Sequence, residues 1–198
     1  MSEETGTPSH KGFRGFIART WAVISRPSTR FSLGGLVVVG GILGILFWGG
    51  FNWAMEMTNT ESFCISCHEM KMAPFEELKR TIHYSNRSGV RATCPDCHVP
   101  KEWIHKVWRK IVASNEVFHH VLGSIDTPEE FEKQRARLAQ NVWASMKATD
   151  SRECRNCHSV ESMDPHKQSQ ASQAMYPAMK AGATCIDCHR GIAHQLPK

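Results

Sequence analysis

Cys64-Ile65-Ser66-Cys67-His68 is a Cys-x-x-Cys-His motif, and the same pattern occurs three more times in this chain of 198 residues. The other copies are Cys94-Pro95-Asp96-Cys97-His98, Cys154-Arg155-Asn156-Cys157-His158 and Cys185-Ile186-Asp187-Cys188-His189. Together the motifs contain all eight cysteines. Two thiols followed directly by a histidine are the attachment pattern of c-type haem, in which the thiols form thioethers and the histidine reaches the iron. The motifs therefore predict four c-type haems.

Disulfides and zinc sites are the other common uses of paired cysteines. Disulfides do not need a histidine after every pair. A zinc ribbon would combine two cysteine pairs around one metal and would leave the four histidines without a role. Haem is therefore favoured over both.

Outward from the first motif, the preceding segment has no charged residue over 25 positions, from Phe31 to Met55. A helix needs about 20 apolar residues to cross a bilayer. We expect residues 31–54 to form a transmembrane anchor, with Trp48 and Trp53 near its far end at the headgroup boundary. A cleaved signal peptide is the alternative, but its apolar core is usually shorter. Gly40 and Gly44 are spaced to pack two such helices together, which makes a homodimer possible.

The net charge of +5 is unevenly distributed. Residues 1–30 carry five basic and two acidic side chains, whereas no lysine or arginine follows the span until Lys71. By the positive-inside rule, residues 1–30 form a cytoplasmic tail and residues 55–198 lie in the bacterial periplasm, where c-type haem is attached. No dense basic stripe indicates a nucleic-acid partner. The expected partner is the lipid bilayer.

The periplasmic part contains a repeat, because the first cysteines of neighbouring motifs lie 30 residues apart at 64 and 94 and 31 apart at 154 and 185. We expect two two-haem modules, at about 60–100 and 150–198, joined by a helical section at about 101–148. In that section apolar residues at helical spacing from Trp103 to Phe118 predict one helix, which stops near Gly123. Thr127-Pro128-Glu129-Glu130 predicts the start of a second. The fold class is mainly α: one transmembrane helix followed by an α/loop multihaem domain.

Several longer strings resemble the NapC/NirT family of membrane-anchored tetrahaem quinol dehydrogenases, and the resemblance covers nearly the whole chain. They are Phe63-Cys-Ile-Ser-Cys-His-Glu-Met70, Ile82-His-Tyr-Ser-Asn-Arg-Ser-Gly-Val-Arg91, Ile125-Asp-Thr-Pro128 and Cys185-Ile-Asp-Cys-His-Arg-Gly-Ile-Ala-His194.

Iron ligands follow in part from this resemblance. It implies that His83 serves the fourth haem and His194 the second. The family often has a third histidine shortly before the last motif, but Met175 and Tyr176 occupy that region here. We therefore nominate His166, the histidine between the third and fourth motifs, for the third haem. His119 or His120 is a further candidate, since at most one of the two can face a given iron.

For the first haem, relatives use a methionine in place of the motif histidine, so His68 and Met70 are alternative ligands. The family also has a lysine and a carboxylate at the quinol site, six or seven residues apart after the second motif. Lys110 and Glu116 are similar in spacing. The competing interpretation is that both are solvated helix residues.

The resemblance implies a quinol dehydrogenase that takes electrons from menaquinol or ubiquinol and passes them to a periplasmic reductase, with nitrate reductase first and nitrite reductase second. The first motif begins 11 residues after Trp53, which agrees with a lipid-soluble donor. An alternative function is an anchor and electron-relay subunit of a stable terminal reductase complex. A terminal reductase is disfavoured by the many candidate distal ligands.

Overall fold

The structure is a computed structural model that describes residues 11–25 and 29–198. It divides into two compact units, residues 1–52 and residues 53–198. Residues 1–10 and 26–28 of the expected cytoplasmic tail lie outside the described part. Within the rest of that tail, helix α1 runs from Lys11 to Ile24, which the sequence analysis did not predict.

Helix α2 runs from Leu33 to Met57 and has the composition expected of a membrane span. In the described part of the chain it is the one helix that is long enough and apolar enough to cross a bilayer, and its mean hydropathy is 2.0. The helix begins two residues after the predicted start of the span and ends three residues beyond its predicted end at residue 54.

Short helices surround the first two motifs. Helix α3 spans Glu61–Cys64, α4 spans His68–Met70 and α5 spans Glu76–Leu78. A π-helical turn at Lys71–Phe75, which contains Pro74, joins α4 to α5. Such turns are frequent at functional sites. Helix α6 spans Cys94–His98, so the second motif is itself a helical turn.

Two long helices form the predicted central section. Helix α7 runs from Trp103 to Val121, and Gly123 follows with a φ of +62°. A left-handed conformation at this position favours glycine, which explains why the helix stops here. Helix α8 runs from Pro128 to Ala148, with Thr127 as its N-cap and Glu130 completing the capping box. Both sequence predictions are confirmed.

The last motifs lie on short helices connected by turns. Helix α9 spans Arg152–Arg155, α10 spans Gln170–Lys180 and α11 spans Cys185–Cys188. Two 3₁₀ turns, Val160–Ser162 and Pro165–Lys167, lie between α9 and α10. Within residues 11–25 and 29–198 there is no β-strand, so the mainly helical fold class is confirmed.

Few apolar side chains are buried in this fold. Among the described residues, the buried apolar side chains are Met55, Leu78, Phe131 and Ile186, together with Pro95 and Pro100. The buried polar set is of similar size: Glu69, Arg135, Ser151, Glu153 and Thr184. A domain with so small an apolar core needs a second source of cohesion, and large apolar prosthetic groups can supply it.

Candidate haem-binding site

The second and fourth motifs are built by the same local hydrogen bonds. The Thr93 hydroxyl and backbone N–H donate to Asp96 Oδ2 at 2.6 and 2.8 Å. The Thr184 hydroxyl and backbone N–H donate to Asp187 Oδ2, each at 2.9 Å. In both motifs the threonine is the N-cap and the aspartate, at the third helical position, completes a capping box. This box winds each motif into one turn, which places its two cysteines on neighbouring parts of the same short helix.

The cysteines are available for thioether bonds. All eight are free of disulfides, and six of them are half-buried while Cys157 and Cys188 are exposed. Burial raises the pKa of the Cys97 thiol to about 11. An uncharged, partly buried thiol pair fits covalent attachment to an apolar porphyrin edge.

The four motifs form a continuous series of neighbours. The thiols of Cys64 and Cys94 are close enough to hydrogen-bond, which joins the first motif to the second. The charges of Cys154 and Cys157, the two cysteines of the third motif, help to raise the pKa of Cys97, which joins the second motif to the third. At the third junction the buried Ser151 hydroxyl accepts a hydrogen bond of 3.1 Å from the backbone N–H of Ile186. Each motif therefore lies beside the next one in chain order.

Three pairs of histidine rings have the spacing that an iron between them requires. Metal–imidazole bonds are about 2 Å long, so two rings on opposite sides of one iron have centroids about 6 Å apart. The ring centroids of His98 and His194 are 6.1 Å apart, those of His83 and His158 are 6.3 Å apart, and those of His68 and His120 are 5.8 Å apart. The ring pairs at the second and third motifs thus fit a haem iron. At the first motif both ring nitrogens of His68 lie near carboxylates, Nδ1 at 3.2 Å from Glu69 Oε2 and Nε2 at 3.5 Å from Asp126 Oδ1.

The pairing of His98 with His194 agrees with the assignment that the resemblance implied for the second haem. Burial and the nearby His194 lower the pKa of His98 to about 4. Burial also lowers the pKa of His194. A neutral imidazole is the form that binds a metal. His194 Nδ1 has no hydrogen-bond partner in the described part of the chain, and Glu77 Oε2 lies 3.7 Å from it.

The position of His83 differs from the expectation that it serves the fourth haem, because its ring faces His158 of the third motif. The physical reason lies in the backbone. A hydrogen bond of 2.8 Å from the Ala92 N–H to the His83 carbonyl holds this loop beside the second motif, which is itself next to the third. His83 Nδ1 is buried without a hydrogen-bond partner among the described residues.

His166 and His189 have no facing ring within the described ranges. His166 lies exposed on the second 3₁₀ turn, where its backbone N–H donates to Asp164 Oδ1 at 3.0 Å. The structure does not bring His166 to the ring of His158, which instead has the ring of His83 beside it at 6.3 Å. The fourth motif is therefore the one for which no distal ligand is apparent.

The first motif has a more polar environment than the second. His120 Nδ1 lies 2.6 Å from Glu69 Oε1, and His68 Nδ1 lies 3.2 Å from Glu69 Oε2. Glu69 is buried, and its carboxylate, His120 and Cys67 place three possible metal-ligating atoms within 4.8 Å of one another. Met70 is 40% exposed. The sequence offered His120 only as one member of a His-His pair, and the structure selects it over His119, which contacts Ser124 Oγ at 3.0 Å.

Lys110 and Glu116 occupy different sides of α7. Lys110 Nζ donates to the Thr58 carbonyl at 2.6 Å, and burial lowers its pKa. Glu116 is 61% exposed and accepts a hydrogen bond of 2.8 Å from Arg109. Six residues along an α-helix correspond to a rotation of about 120° between the two side chains. The structure therefore does not bring this expected pair together.

Comparison with known proteins identifies the family to which a chain with these motifs belongs. The family model described as NapC/NirT cytochrome c family, N-terminal region, matches residues 26–198. The chain belongs to the NapC/NirT cytochrome c family.

Curated relatives cover nearly all of the chain. The denitrification system component NirT of Stutzerimonas stutzeri is 54% identical over 100% of this chain and 96% of its own length. The cytochrome c-type protein NapC of Escherichia coli strain K12 is 53% identical over 92% of each chain. A putative tetraheme cytochrome c of Allochromatium vinosum is 51% identical over 78% of this chain and 88% of its own. As a member of the NapC/NirT family, this chain is a c-type cytochrome.

Proposed function

We propose that this chain is a membrane-anchored tetrahaem cytochrome c that oxidises quinol and passes the electrons to a periplasmic reductase in anaerobic respiration. The observation that carries the proposal is the series of adjacent motifs at the end of one membrane-spanning helix. Relatives named as NapC and as a denitrification component favour nitrate reductase as the acceptor, with nitrite reductase second. The donor is menaquinol or ubiquinol.

Each motif holds one haem through its two cysteines in this proposal. The iron ligands are His98 with His194 for the second haem and His158 with His83 for the third. His120 is the distal ligand of the first haem, with His68 or Met70 on the other side. His189 serves the fourth haem, for which His166 is the remaining histidine between the last two motifs.

Quinol oxidation releases two electrons and two protons, and each haem iron accepts one electron at a time. The protein has to hold the quinol, take up its protons and keep the carriers close together. The contacts from Cys64 to Cys94, from Cys97 to the third motif and from Ser151 to Ile186 supply the last requirement. The path enters at the first motif, because Cys64 follows the end of α2 at Met57 by only seven residues.

Lys110 is the group proposed to orient the quinol. Its ammonium group is partly buried and bonds to the carbonyl of Thr58, the residue that follows α2. The same ammonium can donate a hydrogen bond to a quinol oxygen. Glu116 stays in the proposal as a proton acceptor, but it has to leave Arg109 to reach the same site as Lys110. We therefore expect Lys110 to matter more than Glu116.

The test uses the full holoprotein in vesicles that contain quinol, with haem reduction followed by absorbance. Lys110→Ala should slow reduction by roughly 10²–10⁴-fold, the loss typical of a removed acid–base or orienting group. The matched control is Lys133→Ala, which removes an exposed lysine of α8 and should have the parent rate. Dithionite bypasses the quinol site and should reduce all variants equally. Parent rates in both Lys110→Ala and Glu116→Gln would overturn this quinol site.

The proposed placement is the bacterial inner membrane, with residues 1–30 in the cytoplasm, 31–54 as the anchor and 55–198 in the periplasm. The two-haem modules at about 60–100 and 150–198 are retained. Pairing of two anchors through Gly40 and Gly44 remains a proposal. The alternative function, a relay subunit of a stable reductase complex, predicts stoichiometric copurification with the reductase, whereas a freely exchanging donor does not.

A further inference from the structure

Helix α7 has an exposed apolar stripe along its length, interrupted by the exposed Asn115. Ile104, Trp108, Ile111 and Phe118 and the following Leu122 are between 58% and 66% exposed. Their spacing follows the i, i+4, i+7 rule of a single helical face. A stripe of this length is more than the scattered apolar residues that an ordinary surface carries.

The contacts of α7 with the rest of its unit lie on the opposite face. Lys106 Nζ donates to Glu56 Oε1 at 2.7 Å, and Lys110 Nζ to the Thr58 carbonyl at 2.6 Å. Arg109 Nε donates to the His98 carbonyl at 3.2 Å. At about 100° per residue, the centre of this contact face lies roughly 170° from the centre of the stripe.

His120 also belongs to the contact face, where it meets Glu69. A haem held by His120 would lie on that side of α7, and the second motif meets the same side through Arg109, so both are directed away from the stripe. Another occupant has to be found for the apolar side chains.

The contacts of Lys106 and Lys110 point to that occupant. Glu56 belongs to the last turn of α2 and Thr58 follows that helix directly, so α7 is bonded to the point where the proposed span ends. Trp53, on the same last turns, is 66% exposed. The residues that end the proposed span therefore contact α7, which brings this helix to the level at which the span leaves the bilayer. Lysine and arginine lie on the opposite face of α7, and tryptophan and phenylalanine lie within the stripe, as in a helix that rests in a membrane interface.

We propose that α7 lies in the outer interface of the bilayer, with the stripe from Ile104 to Leu122 buried at the boundary between headgroups and acyl chains. This placement rests on the proposed function, since it assumes that α2 spans the membrane. Its consequence is that the chain has two membrane contacts, α2 and α7, with the first two motifs between them in the sequence. The opening of the quinol site beside Lys110 is then held at the depth of the headgroups.

The experiment is photolabelling of the full holoprotein in lipid nanodiscs that contain a phosphatidylcholine with a diazirine in its acyl chain. Labelled peptides are identified by mass spectrometry, with α2 as the internal standard for lipid contact and α8 as the standard for its absence. We expect the α7 peptide to be labelled about tenfold more than α8, as an interfacial helix would be. The labels should fall on the stripe and not on Lys106 or Arg109.

Two variants separate lipid contact from general exposure. Ile111→Glu places a charge in the stripe and should lower α7 labelling about fivefold or more, with α2 labelling and the haem spectra unchanged. Val90→Glu makes the same change at a loop position that is 65% exposed, and it should change nothing.

Labelling of α2 alone would overturn the placement of α7 while leaving the anchor intact. Absence of labelling from both helices would overturn the anchor as well, and neither result depends on quinol oxidation. A third outcome is that the α7 peptide escapes labelling in discs that hold two copies of the protein, while Ile111→Glu makes the protein monomeric. The stripe would then be an interface between chains, and the proposal would be wrong. Protection that appears only when a reductase is added would overturn it in favour of that partner.

Discussion

The second and fourth motifs begin from nearly the same residues, Ala92-Thr93-Cys94-Pro95-Asp96-Cys97-His98 and Ala183-Thr184-Cys185-Ile186-Asp187-Cys188-His189. Both form a threonine-capped helical turn closed by an aspartate. Their histidines nevertheless differ. His98 is half-buried, and its ring lies 6.1 Å from that of His194. His189 is exposed, and no ring among the described residues lies opposite it. Local sequence thus decides that a motif can attach haem, and tertiary contacts decide how the iron is completed.

The largest expected effect concerns the complete site. His194→Ala should convert one haem from low spin to high spin, because it removes the ring that faces His98 at 6.1 Å. Electron paramagnetic resonance and the visible spectrum of the purified holoprotein measure this change. His105→Ala, which alters an exposed histidine on α7, is the matched control and should leave the spectrum unchanged. An unchanged spectrum for His194→Ala would remove His194 from the ligands.

The second prediction concerns which haem has His83 as its iron ligand, the third or the fourth. His83→Ala should produce a high-spin haem, since its ring faces His158 at 6.3 Å. The same substitution is then made in a chain with Cys185→Ala and Cys188→Ala, which cannot attach the fourth haem. We expect the high-spin signal to persist there. Disappearance of the signal would restore the assignment to the fourth haem.

How far the sequence predicts this molecule depends on the range of the interactions involved. The end of α7 before Gly123 and the start of α8 at Thr127, Pro128 and Glu130 were predictable, because these residues act within one helical turn. The four motifs were predictable for the same reason. Local patterns missed helix α1 and the ring that faces His158, since the latter depends on how a loop from before the second motif meets the third. They also could not show that Arg109 pairs with Glu116.

A smaller effect is expected from Ser151, which supports the fourth motif and has no counterpart at the second. Ser151 is fully buried with a φ of +50°, and its hydroxyl accepts the hydrogen bond from the Ile186 N–H. Ser151→Ala leaves that N–H buried without a partner, so it should destabilise the holoprotein by about 1–3 kcal/mol. The denaturant midpoint measures this change. Ser145→Ala, on the exposed side of α8, is the control, and an equal shift in both variants would contradict the proposed role.

The smallest effect concerns acid stability, through the ion pair of Asp187 with Lys147 beside the fourth motif. Lys147, at 2.7 Å, and Thr184 lower the pKa of Asp187 from 3.8 to about 2. Because the folded pKa lies below the unfolded one, the stabilisation is present above pH 3.8 and is lost as the pH falls toward about 2. Lys147→Met should therefore make the acid unfolding midpoint of the holoprotein slightly higher. No shift in that midpoint would show that the Lys147–Asp187 pair does not contribute.

The most direct test of the central claim is the extent of haem reduction by quinol in the full holoprotein reconstituted in vesicles. The haem content is first counted from the mass and the iron-to-protein ratio, and the account predicts four haems in each chain. Adding quinol should then reduce the haems without any other donor, and adding the acceptor reductase with its substrate should reoxidise them. A protein with only one or two haems, or one that dithionite reduces but quinol does not, would contradict the account.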